Sequence, residues 1–217
     1  LHFDKRELAE NNFFMIKNLK NYSKNFYKIF EINKEDIYNG KLKKLFKNFK
    51  ENNLITYGCS KLPPDILKLL KGNLKWNVHG GLSPWYRGVT THFWPSYMLE
   101  PEYTGMTLHE LTEDIDGGNI IHQTITDLNV DDGIHENACR TVKKFSDKTP
   151  NLIKKSINKN KGKIFGIKSN TSGRIWTTRM WSPIHLKLVY NVYKDKINKY
   201  CLSNKKIKKP KIKSVLL

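Results

Sequence analysis

Asn77 and His79 stand two residues apart, and Asp116 follows 37 residues after His79, just ahead of Gly117 and Gly118. In an extended strand residues i and i+2 point to the same face, so the amide and the imidazole would be presented together. An amide N–H can donate to a developing oxyanion. An imidazole that titrates near ~6.5 can donate a hydrogen bond or carry a proton. A carboxylate can set the imidazole's charge or act on an amine through a water. Together the three types suit acyl transfer, where an oxyanion is stabilised and a proton moves from nucleophile to leaving group. Singly they say little: a strand-end Asn bonds its own loop, a lone His is usually structural, and Asp before Gly-Gly is a turn signal.

The surrounding pattern supplies elements to hold them. Leu74 to Val78 reads as a strand that runs into the loop 80–84, and strand ends are where open α/β sheets place their sites. Leu54 to Tyr57 is a short β-type run stopped by Gly58. Met106 to Leu111 and Asn119 to Thr126 alternate as strands on either side of Asp116. Residues 4–30 and 34–53 carry helical apolar stripes. Pro63-Pro64-Asp65 opens a helix, with proline at an early position where its missing N–H costs nothing. Thr91 to Leu99 predicts a short or kinked helix because of Pro95. Ile134 to Phe145 predicts a long helix that resumes from Pro150 to Ile157. Ile164 to Ile167 and Arg174 to Thr177 suggest short strands, and Ser182-Pro183 starts a last helix with a stripe running to Ile197. Strands alternating with helices predict an α/β domain with a largely parallel sheet.

The chain has 217 residues, enough for one full core, and a net charge of +19. That charge raises a nucleic-acid partner. Lys outnumbers Arg 34 to 5, however, and Asn numbers 22, a composition better explained by an AT-rich coding sequence than by phosphate reading, which favours the bidentate Arg. A nucleic-acid partner is therefore disfavoured, although the charge would still attract a phosphorylated substrate. Cys59, Cys139 and Cys201 are far apart and lack metal-ligand or redox spacing, which fits a reducing cytoplasmic setting and no bound metal. Neither a membrane span nor a signal peptide is visible, so no membrane partner is expected. The tail from Lys205 onward is a charge run expected to be solvated and disordered.

Several motifs then occur in one order: Asn77-Val78-His79, Pro84-Trp85-Tyr86-Arg87-Gly88, Thr104 to His109, and Asp114-Ile115-Asp116-Gly117-Gly118. From about residue 54 to about residue 130 this resembles the folate-dependent formyltransferases, a family with a Rossmann-like fold. The resemblance implies transfer of a formyl group from 10-formyltetrahydrofolate to a primary amine without a metal. By the same resemblance Asn77 and His79 would stabilise the oxyanion, and Asp116 would pair with His79 or assist proton transfer. Folate would lie along Gly58, Cys59, Ser60, Lys61 and Leu62 and along Leu111, Thr112, Glu113, Asp114 and Ile115. Tyr86, Arg87, Gly88 and His109 match positions next to the site, and Trp94, with Trp85 and Tyr97, could stack on a base or sugar.

The residues beyond this core narrow the acceptor. Methionyl-tRNA formyltransferases carry a C-terminal β-barrel for which about 55 residues after Lys163 leave no room. Glycinamide ribonucleotide formyltransferases have Pro-Ser-Leu-Leu-Pro after the His, where this chain has Gly80 to Pro84. The stretches Gly173 to Trp176 and Trp181 to Leu186 look similar to sugar N-formyltransferases, which implies a nucleotide-linked amino sugar as acceptor; a homodimer is left open. The organisation expected is a catalytic domain over 1–160, a small extension over 161–204 and the basic tail over 205–217. The resemblance also implies that the catalytic domain lacks its first strand and helix, because only 76 residues precede Asn77. Two readings of other classes stay open: a truncated formyltransferase-like binding protein without catalysis, and a basic nucleic-acid-binding module.

Overall fold

The computed structural model describes residues 1–14, 30–49, 53–70, 72–160, 162–169 and 173–216. Within them a four-stranded sheet runs in the order β1 (Leu54–Tyr57), β2 (Lys75–His79), β4 (Gly105–Glu110), β5 (Ile120–Ile125). A two-stranded sheet pairs β3 (Tyr86–Gly88) with β6 (Arg174–Trp176). In β4 five of six residues are buried, as in a strand covered on both faces.

The sheet is mixed rather than largely parallel. β1 and β2 are parallel, joined through the short helix α3 (Pro64–Leu69), whereas β2 with β4 and β4 with β5 are antiparallel. The reason lies in the connections. The 111–119 turn joins β4 to β5 directly, and such a turn can only join antiparallel neighbours. The alternating-strand pattern carried no information on that path.

α5 (Ile134–Lys159) is the longest helix among the described residues. The break expected at Pro150 does not occur, and the helix passes through it. Its buried Phe145 and half-buried Val142, Leu152, Ile153 and Ile157 pack with Trp76, Met106, Leu108, Ile121 and Leu216 in the main core. Each such side chain contributes roughly 1.5–3 kcal/mol on burial, enough to hold a helix across one missing N–H bond. The start of α5 is capped twice. Gly133 N–H donates to Glu136 Oε2 at 3.1 Å and Ile134 N–H donates to Asp195 Oδ1 at 3.0 Å.

Other expectations shift at their ends. α1 begins at His2 and is described to Phe14; the rest of the 4–30 expectation lies outside the described residues. The 34–53 stripe yields a three-residue 3₁₀ turn and α2 (Lys41–Lys47), and Thr91 to Leu99 condenses to one helical turn, α4 (Trp94–Tyr97). Ile164 to Ile167 forms no strand, only a bridge from Ile167 to Ile120. The last helix divides into α6 (His185–Lys187), a π turn over Leu188–Val192 and α7 (Ile197–Asn204), because Lys194 and Asp195 both adopt positive φ. The tail is not loose. Gln123 N–H donates to Lys213 O at 2.9 Å and Val215 N–H to Ile121 O at 2.8 Å, laying 213–215 along the free edge of β5. Leu216 is buried in the main core, which offsets the solvation favoured by the lysines before it.

Candidate active site

Strand register assembles the site. Thr56 on β1 lies opposite Asn77 on β2, and Asn77 lies opposite His109 on β4, which makes a row across three strands. His79 lies one step along, opposite Thr107. Facing residues stand about 4.5–5.5 Å apart at Cβ, within side-chain hydrogen-bond reach. Thr56 Oγ1 donates to Asn77 Oδ1 at 2.7 Å, which fixes the amide's orientation. Asn77 Nδ2 then aims its two hydrogens at His109 Nε2, 3.1 Å away, and at Asp116 Oδ1, 3.3 Å away. His109 Nδ1 faces the Glu110 carbonyl at 2.8 Å, and its Nε2 stands 3.1 Å from Asn77 Nδ2 and 3.4 Å from Asp116 Oδ1.

Asp116 comes in from the turn between β4 and β5. Its φ of 45° lies in the left-handed region, a cost of about 1–2 kcal/mol for a residue with a side chain. Gly88 N–H holds Oδ2 at 2.8 Å, and Ser83 Oγ donates to the Asp116 carbonyl at 3.1 Å. His79 Nδ1 is 3.3 Å from Oδ2, while His79 Nε2 donates to the Tyr86 carbonyl at 2.9 Å. A neutral imidazole has one N–H, and the carbonyl requires it on Nε2. One further proton could therefore be held between His79 Nδ1 and Asp116 Oδ2.

The electrostatics keep that position empty at rest. Burial holds the His79 imidazole below its ordinary value, and the Asp116 carboxylate only partly opposes it. Burial pushes the Asp116 carboxyl up, but His109, His79 and the Gly88 N–H outweigh it, and the group lies below the usual carboxylate range. The resting pair is thus neutral imidazole and carboxylate. It can accept a proton released by a nucleophile and return it to a leaving group.

Two glycines allow these approaches. Gly88 has φ +93°, and a Cβ there would collide with the Trp176 carbonyl. A Cβ on Gly81 would meet His79 Nε2 and lie 2.7 Å from the Tyr86 oxygen, in the hydrogen bond that orients His79.

A cavity of about 830 Å³ opens over this cluster and reaches both expected folate strips. Residues 58–62 line it, as do Leu111, Thr112, Asp114 and Ile115; Glu113 does not. Its volume suits a ligand of folate size, and its lining mixes apolar walls with many polar and charged side chains. Gly88, His109 and the three central residues line it as well. Tyr86 and Arg87 do not: Tyr86 is buried with its hydroxyl on Glu100 at 2.7 Å, and Arg87 Nε is buried without a hydrogen-bond partner. Trp94 stands apart from the cavity. It is 1% exposed and stacks on Trp176 at 4.2 Å, so its faces are spent on packing. Trp85 and Tyr97 likewise pack on aromatic neighbours, Tyr103 and Phe93.

Sequence reasoning missed Thr56, Ser83, Gln123, His92 and His135, of which Thr56, His92 and His135 line the cavity. His92 donates to the Gly105 carbonyl at 3.1 Å, and burial lowers its imidazole to about 4. Gln123 carried no local signal, because it sits in β5 between two other polar residues, His122 and Thr124. Cys59 is exposed at the cavity, while Cys139 and Cys201 are buried thiols. Among the described residues no group of three or more His, Cys, Asp or Glu side chains is arranged to hold a metal, and no helix is long and apolar enough to cross a membrane.

Comparison with known proteins shows the family. Residues 5–153 match the family described as formyl transferase. The bifunctional polymyxin resistance protein ArnA of Wigglesworthia glossinidia brevipalpis is 32% identical over 129 residues, 52% of this chain and 19% of that protein. The chain thus spans about a fifth of that relative's length. Among solved structures, the formyltransferase PseJ of Anoxybacillus kamchatkensis, in complex with UDP-4,6-dideoxy-4-formamido-L-AltNAc and tetrahydrofolate, superposes with a TM-score of 0.53 at 25% identity, covering 70% of this chain and 77% of that one. A 4-N formyltransferase of Francisella tularensis superposes with a TM-score of 0.52 at 24% identity, covering 67% and 60%.

Proposed function

Because the chain belongs to the formyl transferase family, we propose that it moves a formyl group from 10-formyltetrahydrofolate to the amine of a nucleotide-linked amino sugar. The observation that carries this reading is the closed cluster of Asn77, His79, His109 and Asp116 at the floor of the folate-sized cavity. The donor assignment draws on the tetrahydrofolate bound to PseJ, and the acceptor assignment on the UDP-linked formamido sugar bound there.

The reaction divides among these groups. The neutral amine attacks the formyl carbon, and its oxygen becomes an oxyanion. Asn77 turns the N–H now 3.3 Å from Asp116 toward that oxygen, the longer and weaker of its two bonds. One such donor contributes about 3 kcal/mol to the transition state. His79 and Asp116 take the proton that the amine sheds and return it to the departing folate nitrogen. His109 keeps the amide aimed and Thr56 locks its oxygen. The net charge of +19 favours a phosphorylated acceptor.

The test is Asn77→Ala with folate binding and turnover measured side by side. The reading expects turnover to fall by about 10²–10³ while folate affinity holds. Turnover equal to the unaltered chain would remove Asn77 from the chemistry.

A further inference from the structure

Ser83 is 2% exposed, and all three of its polar atoms are engaged. Its N–H donates to Thr107 Oγ1 at 3.0 Å, its carbonyl accepts from Gln123 Nε2 at 2.6 Å, and its hydroxyl donates to the Asp116 carbonyl at 3.1 Å. Thr107 in turn donates to the Gly81 carbonyl at 2.8 Å. Two strand side chains therefore hold the loop between His79 and β3, and Ser83 carries that hold to the Asp116 turn.

Gln123 also faces the other way. It is 1% exposed, and its Oε1 accepts the Lys213 N–H at 3.0 Å. The backbone of 213–215 pairs with β5 on either side of that contact. One carboxamide thus joins the C-terminal segment to the loop that seats Asp116. Ser83, Thr107 and Gln123 in the middle of the path are buried, so the loss of a bond between them leaves a buried partner unpaired rather than solvated.

We propose that Gln123 is a positioning residue, relaying the seating of 213–215 on β5 through Ser83 to the carboxylate of Asp116. Asp116 needs such a hold because its backbone is in the left-handed region and its carboxylate serves Gly88, Asn77 and His79 together. The consequence for rate rests on the formyl-transfer reading; the consequence for His79 does not.

Two variants cut the path at different bonds. Gln123→Met keeps length and apolarity but has no carboxamide. Lys213→Pro removes the single N–H that Gln123 accepts. On the full chain, the ring-proton titration of His79 is followed by NMR and kcat and KM are measured for formyl transfer. The groups facing His79 are Asp116, His109 and Arg87, of which Asp116 is the one that raises its pKa. Each variant is expected to move the His79 titration to lower pH and to cut kcat by about 10–100-fold with KM little changed, as for a misplaced catalytic group. The double variant should be no worse than Gln123→Met alone, since both cut one link. If Gln123→Met does not fold, Ser83→Ala removes only the bond to Asp116 and gives the same readouts. An unmoved His79 titration in the folded variants, or fully additive losses, overturns the proposal. A chain with no turnover at all contradicts the formyl-transfer reading instead, and the His79 titration still decides the link.

Discussion

Asp116→Asn isolates the charge at the centre of the site. Asn can keep an oxygen in the place of Oδ2, where it accepts the Gly88 N–H and faces His79 Nδ1, with its amide nitrogen in the place of Oδ1, so the shape is kept and the carboxylate charge is lost. The carboxylate lies 3.3 Å from His79 Nδ1 and is 13% exposed. At that separation a unit charge pair is worth about 5 kcal/mol at an effective dielectric of 20, and breaking a buried pair costs about 3–5 kcal/mol in practice. That interaction matters only once His79 has taken the amine's proton, so the loss falls on the transition state. The expected result is a kcat lower by about 10²–10⁴ with an unaltered KM for folate. The His79 titration should also move to lower pH, because Asp116 is what raises it against burial. The assay is continuous spectroscopic formyl transfer across pH. A kcat within about tenfold of the unaltered chain would refute the reasoning, since the proton would then have another holder.

Gly81→Ala puts a methyl into the bond between His79 and the Tyr86 carbonyl, and the variant should lose most turnover and melt at a lower temperature; unchanged turnover would mean that His79 is not held there. His92 titrates near 4 in the fold and near ~6.5 when unfolded, so the unfolded chain binds the extra proton between those values. Its neutral burial favours the fold fully above pH ~6.5 and that stability is lost as pH falls toward 4, about 3 kcal/mol for this group. Chemical denaturation should show that decline, and a much shallower one in His92→Gln. Thr56→Val removes the hydroxyl that locks the Asn77 amide, and kcat should drop about tenfold while folate binding holds; equal loss in both would make Thr56 structural.

The central residues of the cluster were legible because their spacing is local. Asn77 and His79 share a strand face by periodicity alone, and Asp116 with two glycines marks its own turn. Their supports were not legible, for a physical reason. Thr56 and Thr107 acquire partners only through cross-strand register, and register depends on which strands are neighbours and in which direction they run. Alternation of strands and helices suggested parallel neighbours, while the actual path turns β4 back against β2. Ser83 and Gln123 meet across forty positions, which no local pattern encodes. Trp94 looked like a ligand platform because aromatics serve both purposes; its stacking on Trp176 depends on β3 pairing with β6. The tail looked solvated because its lysines dominate composition, yet its last apolar residues reach the main core.

The most direct measurement is mass spectrometry of the acceptor after incubation with 10-formyltetrahydrofolate, using a panel of nucleotide-linked 3-amino and 4-amino sugars with glycinamide ribonucleotide for comparison, each with the unaltered chain and with Asn77→Ala. The account predicts one formyl group gained by an amino sugar with the unaltered chain and a strongly reduced yield with the variant. A formyl group gained by glycinamide ribonucleotide alone, or by no acceptor while folate stays unbound, would contradict it.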